Sequence, residues 1–97
     1  MATYISLINW TEQGIRNVKE SPKRLEAVRQ MIKDAGGELK SFYLTMGPYD
    51  LVSIVDAPSD EVIAKILLTL GASGNVRTVT LKAFGEAEYR KIVSSVG

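Results

Sequence analysis

The stretch Leu39–Ala57, LKSFYLTMGPYDLVSIVDA, carries the pattern that decides the fold. β-Branched and aromatic residues are frequent in Leu39–Met46 and in Tyr49–Ala57, which predicts two consecutive strands. Gly47 and Pro48 separate them, and a type II′ turn takes glycine first and tolerates proline second. The stretch therefore predicts an antiparallel hairpin.

One helical pattern precedes this hairpin and a second follows it. Upstream, Ser21 and Pro22 suit the N-cap and first position of a helix, whose apolar stripe continues to Gly36. Downstream, Pro58–Glu61 places a capping serine before two acids, and the apolar stripe that follows stops at Gly71. Each side of the hairpin therefore carries one amphipathic helix.

The outermost segments complete the pattern. Thr3–Trp10 and Val76–Ala83 have strand composition, Thr11 suits the cap of a short helical turn, and Glu86–Val93 suits a short terminal helix. The order β-α-β-β-α-β is that of an α+β, ferredoxin-like fold, a four-stranded antiparallel sheet with helices on one face. We expect residues 1–97 to form a single domain.

Composition excludes several classes of function. The 97 residues contain no cysteine and no histidine, and their formal net charge is +1. Disulfides and thiolate metal sites are therefore impossible, the usual general base is missing, and no strong field attracts nucleic acid. No apolar run approaches the roughly 20 residues that span a bilayer. We expect a cytoplasmic protein without cofactor, metal, nucleic-acid or membrane partner.

The predicted strands have two different faces, because side chains alternate along a strand. The wholly apolar face is expected to lie under the helices: Ile5, Leu7, Phe42, Leu44, Val52, Ile54, Val79 and Leu81. The other face mixes aromatic, aliphatic and hydroxyl side chains without a charge: Tyr4, Ser6, Ile8, Trp10, Ser41, Tyr43, Thr45, Leu51, Ser53, Val55, Thr78 and Thr80.

An uncharged outer face predicts that something covers it, since open sheet faces usually carry charged residues. A second copy packed sheet against sheet is one cover, with waters or a small polar ligand satisfying the hydroxyl groups. The alternative is a hydroxyl-rich face that stays exposed.

The hairpin motif Gly47-Pro48-Tyr49-Asp50 resembles the Gly-x-Tyr-Asp stretch of the GYD-domain family. The opening segment TYISLINWTEQGIRNVKESPKR also fits that family, and the resemblance covers the full chain. It implies a dimeric α/β-barrel in which ferredoxin-like subunits pair through their sheets. Proteins of that group include cofactor-free monooxygenases, isomerases, haem enzymes and ligand-sensing modules, whereas the GYD family itself has no established activity.

The motif residues Tyr49 and Asp50 have two interpretations. At a strand start on the helix-facing side, burial would favour the protonated form of Asp50, which could then carry a proton. Alternatively Asp50 accepts backbone N–H groups at the turn while Tyr49 packs across the strand pair. Near the end of the first strand, Trp10 and Arg16 could bind a ring and an anion, or simply anchor an interface and face solvent.

Three functions fit these observations. The first is a homo-oligomeric binding or interaction module, with a small-molecule site between the sheet and a neighbouring subunit. The second is a cofactor-free isomerase or monooxygenase that uses Asp50 or a tyrosine as proton carrier. The third is a structural subunit whose sheet face is filled by its partner. The candidate ligand-binding residues are Tyr4, Ser6, Trp10, Arg16, Tyr43, Thr45, Tyr49 and Asp50.

Overall fold

Four strands form one antiparallel sheet in the order β2-β3-β1-β4 in the computed structural model, which describes residues 1–97. The strands are β1 (Ala2–Trp10), β2 (Glu38–Leu44), β3 (Leu51–Ala57) and β4 (Val76–Ala83). β1 lies in the middle and pairs with both β3 and β4. The predicted ferredoxin-like βαββαβ fold is confirmed.

Two helices cover one face of the sheet, a short helix lies between β1 and the first of them, and another short helix follows β4. The helices are α1 (Glu12–Arg16), α2 (Ser21–Asp34), α3 (Asp60–Ala72) and α4 (Glu86–Ser94), with a 3₁₀ turn at Val18–Glu20. The core joins buried side chains of the sheet to buried side chains of α2 and α3: Tyr4, Ile32, Val55, Ala57, Ile63 and Ile66.

Two of the three predicted helix caps are confirmed. The hydroxyl of Thr11 accepts the N–H of Gly14 at 3.1 Å, and that of Ser59 accepts the N–H of Val62 at 3.3 Å. The N-cap prediction for Ser21 is wrong, because the 3₁₀ turn leads directly into α2 and Ser21 already has helical dihedral angles (φ −54°, ψ −42°). A cap residue needs an extended backbone, which the preceding turn does not allow here.

The turn between β2 and β3 is longer than the two-residue hairpin that the sequence predicts. Residues 45–50 form a six-residue loop, closed by a 2.8 Å hydrogen bond from the Thr45 N–H to the Asp50 carbonyl. Gly47 lies in this loop with φ +123°, a conformation that side-chain-bearing residues rarely adopt. The glycine is therefore required by the turn.

A β-bulge in β2 changes which of its side chains share a face. The register shifts between Leu39 and Ser41, so that Leu39 pairs with Val55 while Phe42 pairs with Ser53. Because a one-residue shift moves every following side chain to the opposite face, Phe42 joins the helix side of the sheet and Tyr43 joins the open side.

The predicted assignment of the two sheet faces is wrong for β1, β3 and β4, because the structure exchanges their faces. On β2, Phe42 and Leu44 face the helices and Tyr43 faces the open side, as predicted. Tyr4, Ser6 and Ile8 are buried and alternate with half-buried neighbours along β1, and Tyr4 packs in the core with α2 and α3. The mixed hydroxyl face therefore lies under the helices. The wholly apolar rows of β1, β3 and β4 form the side that no helix covers: Ile5, Leu7, Val52, Ile54, Val79 and Leu81.

The C-terminal helix α4 extends away from the rest of the molecule. Its large apolar side chains are about half exposed or more, including Tyr89 at 59%, Ile92 at 48% and Val93 at 49%. The chain is accordingly elongated, with principal extents of 51 × 31 × 19 Å. No helix of the chain has the length and apolarity that a membrane crossing requires.

Candidate functional site

A cavity of about 360 Å³ lies between the sheet and the two helices that cover it. The walls of the cavity include Leu25, Val28 and Met31 of α2 and Leu67 and Leu70 of α3. Most of the lining residues are hydrophobic. The helix stripes that the sequence predicts as core are therefore packed on the sheet only in part, and they leave this space between them.

The sheet beneath the cavity carries a row of hydroxyl groups. Ser6 pairs with Ser53 on β3 and with Thr80 on β4, which places three hydroxyl side chains side by side across three strands. The Ser6 and Thr80 oxygens are 2.7 Å apart and share a hydrogen bond. Ser53 and Thr78 line the cavity itself. Hydroxyl groups at the centre of a helix-covered sheet are unusual, because apolar residues normally fill such positions.

Below the cavity, Tyr4 connects the sheet to the start of α3. Its side chain is buried, and its hydroxyl donates a hydrogen bond to Asp60 Oδ1. The same carboxylate oxygen lies 3.2 Å from Lys82 Nζ. The hydrogen bond to Asp60 raises the pKa of Tyr4 to about 12, and together with Lys82 it lowers the pKa of Asp60. Tyr4, Asp60 and Lys82 thus link β1, α3 and β4 through one hydrogen bond and one ion pair.

The loop 45–50 is built by the residues of the Gly-x-Tyr-Asp motif. The Thr45 hydroxyl donates to the Tyr49 carbonyl at 2.7 Å, and the Asp50 N–H donates to the Ile8 carbonyl at 2.9 Å. The Asp50 carboxylate accepts the N–H of Trp10 at 3.0 Å. The loop is thereby fastened to the end of β1.

Asp50 lies in this loop and not in a strand under the helices, because β3 begins only at Leu51. Its carboxylate is engaged with a backbone N–H and contacts no second titratable side chain through a hydrogen bond. This geometry fits the structural interpretation of Asp50. Nothing in the loop favours the proton-carrier interpretation.

The tip of this loop is apolar and exposed. Met46 is fully exposed, and Leu44, at the end of β2, is 72% exposed. A rigid loop that presents large apolar side chains to solvent is a typical contact for another protein. Sequence alternation does not reveal this feature, because it predicts both residues within a strand.

The eight candidate residues do not form one site. Ser6 and Trp10 line the cavity, Tyr4 lies in the core, and Thr45, Tyr49 and Asp50 build the loop. Arg16 is exposed at the end of α1 and pairs with Glu12 at 2.5 Å. Tyr43 is 58% exposed on the open side of the sheet. The expected site between the hydroxyl face and a neighbouring subunit is wrong in its location, because α2 and α3 cover that face.

The open sheet face, defined by Ile5, Leu7, Tyr43, Val52, Ile54, Val79 and Leu81, is the largest uncovered apolar feature of the sheet. Tyr43, Val79 and Leu81 are half exposed. Charged residues lie at its ends and on its β2 edge: Arg77 opposite Asn9, Asp56 opposite Thr3 and Glu38, and Lys40, which is 3.5 Å from Glu38. The centre of the face has no charged side chain. No group of three or more acidic side chains that could hold a metal ion exists in the chain.

Comparison with known proteins identifies a family and a named relative. The GYD domain family profile matches residues 4–93. A protein of Thermus thermophilus named "Glutamine synthetase and cystathionine beta-lyase binding protein" is 34% identical over 89 residues, which cover 91% of this chain and 94% of the relative.

Solved structures agree on the fold. A crystal structure of a Thermus thermophilus protein has a TM-score of 0.54 and 28% identity, covering 88% of this chain and 95% of the other. A feast or famine regulatory protein of M. tuberculosis has a TM-score of 0.66 and 19% identity. That match covers 88% of this chain and 51% of the regulator, so this chain corresponds to about half of it.

Proposed function

This chain belongs to the GYD-domain family, and we propose that it is a self-associating module that binds a metabolic enzyme. The observation that carries the proposal is the open sheet face, which is apolar throughout its centre and which no element of the chain covers. Association with a partner that covers apolar surface of this kind is favourable, because it removes that surface from water.

A second copy is the occupant that we propose for the open sheet face. Two sheets pack face to face at about 10 Å with their side chains interdigitated, and a two-fold axis brings the same face of each copy together. The apolar centre and the charged ends, Arg77 and Asp56, have the arrangement of an interface with a polar rim.

The helix α4 is proposed to extend this interface. In flat projection the four strands cover on the order of 400–500 Å², whereas a stable interface buries about 800 Å² of accessible surface on each partner. α4 follows β4 after only Phe84 and Gly85, and its apolar residues Tyr89, Ile92 and Val93 have no partner in their own chain. Docking of α4 on the second copy would add the missing area.

Self-association is tested by the mass of the chain in solution. Replacing Leu81 by lysine places a charge on the open sheet face, in edge strand β4 beside Ile5, and we expect the variant to be a 10.6 kDa monomer by light scattering. The matched control is Leu68→Lys, because Leu68 is 76% exposed on the outer side of α3 and is not on the sheet. A wild-type chain that is monomeric at 100 µM would contradict the proposal.

Binding of a metabolic enzyme is supported by the relative, whose name states that it binds glutamine synthetase and cystathionine β-lyase. The proposed contact is the loop 45–50, which leaves the open sheet face free for self-association. Loss of one central apolar side chain from an interface commonly costs more than 1 kcal/mol. A cytoplasmic location, which composition predicts, is consistent with such a partner.

The binding experiment uses glutamine synthetase and cystathionine β-lyase from the organism that encodes this chain, each measured by calorimetry. We expect at least one to bind, and Met46→Ser to weaken that binding about tenfold. Leu68→Ser is the control, since it removes an equally exposed apolar side chain elsewhere. If neither enzyme binds, the enzyme-binding proposal fails. If Met46→Ser binds as well as wild type, the loop is not the contact.

A further inference from the structure

We propose that the cavity between the sheet, α2 and α3 is a binding site for a small, uncharged, mainly apolar molecule that carries one hydrogen-bonding group. The site lies inside a single chain. It depends neither on self-association nor on an enzyme partner, and its ligand is distinct from both.

The size of the cavity supports a bound molecule. Its volume is about 360 Å³, within the range of about 300–1,000 Å³ that holds small ligands. An apolar cavity of about 150 Å³ is already sufficient to bind benzene. Close-packed protein cores contain few voids larger than a water molecule, so a space of this size under two helices is not ordinary packing.

The polar group of the ligand is specified by Ser53. This residue is only 6% exposed and lines the cavity, and its hydroxyl has no hydrogen-bond partner within the chain. No side-chain oxygen that is fully enclosed in the chain lacks a hydrogen-bond partner. The Ser53 oxygen, which has none, is therefore not fully enclosed, and it is open to the cavity that Ser53 lines. A hydroxyl in an apolar environment is costly without a hydrogen bond, and a ligand hydroxyl or carbonyl would supply one.

The neutral character of the ligand follows from the lining. Arg24 is the only charged residue among the lining residues, and its guanidinium already donates to the carbonyls of Asn17 (3.1 Å) and Gly14 (3.3 Å). A carboxylate in the cavity would therefore lose its hydration without gaining an unoccupied cation. An uncharged ring with one hydroxyl matches both the walls and Ser53.

The test uses p-cresol as the probe and p-toluate as its charged counterpart, followed by ¹H–¹⁵N NMR of the full chain. Trp10 is the only tryptophan and lines the cavity, so its indole signal reports binding directly. We expect saturable p-cresol binding, with shifts concentrated at Trp10, Ser53 and the facing sides of α2 and α3. p-Toluate should bind at least tenfold more weakly.

Two variants separate the cavity from other surfaces. Ser53→Ala should weaken p-cresol binding about five- to tenfold, whereas Ser41→Ala, a serine on the opposite face of the same sheet, should leave it unchanged. Val28→Phe should fill the cavity and abolish binding, and unchanged α3 and sheet signals would show that the variant folds. The inference is overturned if p-cresol shifts do not saturate, if they map to the open sheet face, or if Ser53→Ala or Val28→Phe binds like wild type.

Discussion

The hydroxyl of Tyr4 shows how a single polar atom is accommodated in the core. The ring lies among apolar side chains of both covering helices, and the oxygen reaches the first residue of α3, Asp60. Because the acceptor is the carboxylate of Asp60, whose negative charge disfavours a phenolate beside it, the pKa of Tyr4 is raised and its hydroxyl keeps its proton. The contact stabilises the fold through a charge-assisted hydrogen bond.

The first prediction concerns pH. The pKa of Tyr4 is about 12 in the folded chain and about 10 when unfolded. The stabilisation is therefore complete below pH 10 and is lost as pH rises toward 12, because the unfolded state ionises first. On the acid side, the lowered pKa of Asp60 means that its contribution is lost as pH falls through its folded value.

Tyr4→Phe should abolish this part of the pH dependence. In urea unfolding, the difference in stability between wild type and Tyr4→Phe should shrink between pH 10 and pH 12. The control is Leu68→Ser, which changes an exposed, non-titrating side chain away from the open sheet face, and its difference from wild type should not vary with pH. A constant difference for Tyr4→Phe over this range would refute the role given to the hydrogen bond.

The second prediction concerns Gly14, where α1 approaches the turn before β4. A Cβ atom at this position would lie 1.9 Å from the Asn75 carbonyl oxygen, which is a backbone atom and cannot swing away. Gly14→Ala should therefore lower the free energy of unfolding by about 1–3 kcal/mol. Gly71→Ala in α3 has open space and should be neutral or stabilising by up to about 1 kcal/mol. Chemical denaturation of both variants measures this, and equal stabilities would count against the close approach.

At the scale of elements, α4 is the least supported part of the chain. It has nine residues and an apolar side that its own chain leaves uncovered. Isolated helices shorter than about 12–15 residues are marginal in water, so packing must supply most of the stability of α4. Its state should therefore depend on assembly.

The third prediction follows from this dependence. In the wild-type chain, amide protons of residues 89–94 should be protected from hydrogen exchange, whereas in the monomeric Leu81→Lys variant they should exchange close to the unstructured rate. Amides of α3 serve as the internal control and should stay protected in both. Equal protection of α4 in the monomer would show that the helix does not need the second copy.

At the scale of the whole molecule, the proposed self-association would couple stability to concentration. A partner that binds only the folded state raises the melting temperature as its concentration rises. As the fourth prediction, the melting temperature of the wild-type chain should rise on the order of 5–10 °C between 1 and 100 µM. Leu81→Lys should melt at a constant, lower temperature, and Leu68→Lys should follow the wild type. A wild-type melting temperature that does not vary with concentration would contradict a dimer in this range.

The sequence by itself determined the order of elements and hence the fold. Strand composition, the caps at Thr11 and Ser59 and Gly36 after α2 are local signals, and strand composition locates β4 at Val76–Ala83 as observed. The prediction that Gly71 ends α3 is wrong, because Gly71 lies inside the helix, which continues to Ala72. The family was also accessible, since Gly47-Pro48-Tyr49-Asp50 and the opening segment carry the resemblance. The uncharged character of both sheet faces was visible as well.

Only the tertiary structure decided which face the helices cover. Alternation defines two faces but does not orient them, and when both are uncharged hydropathy favours the more apolar one, Ile5 and Leu7, as the inner side. The structure puts Tyr4, Ser6 and Ser53 there instead. The bulge after Leu39 moves Phe42 and Tyr43 across the sheet, and it depends on pairing with β3, a contact between separate segments. The cavity likewise arises from how two helices rest on the sheet, which no local pattern records.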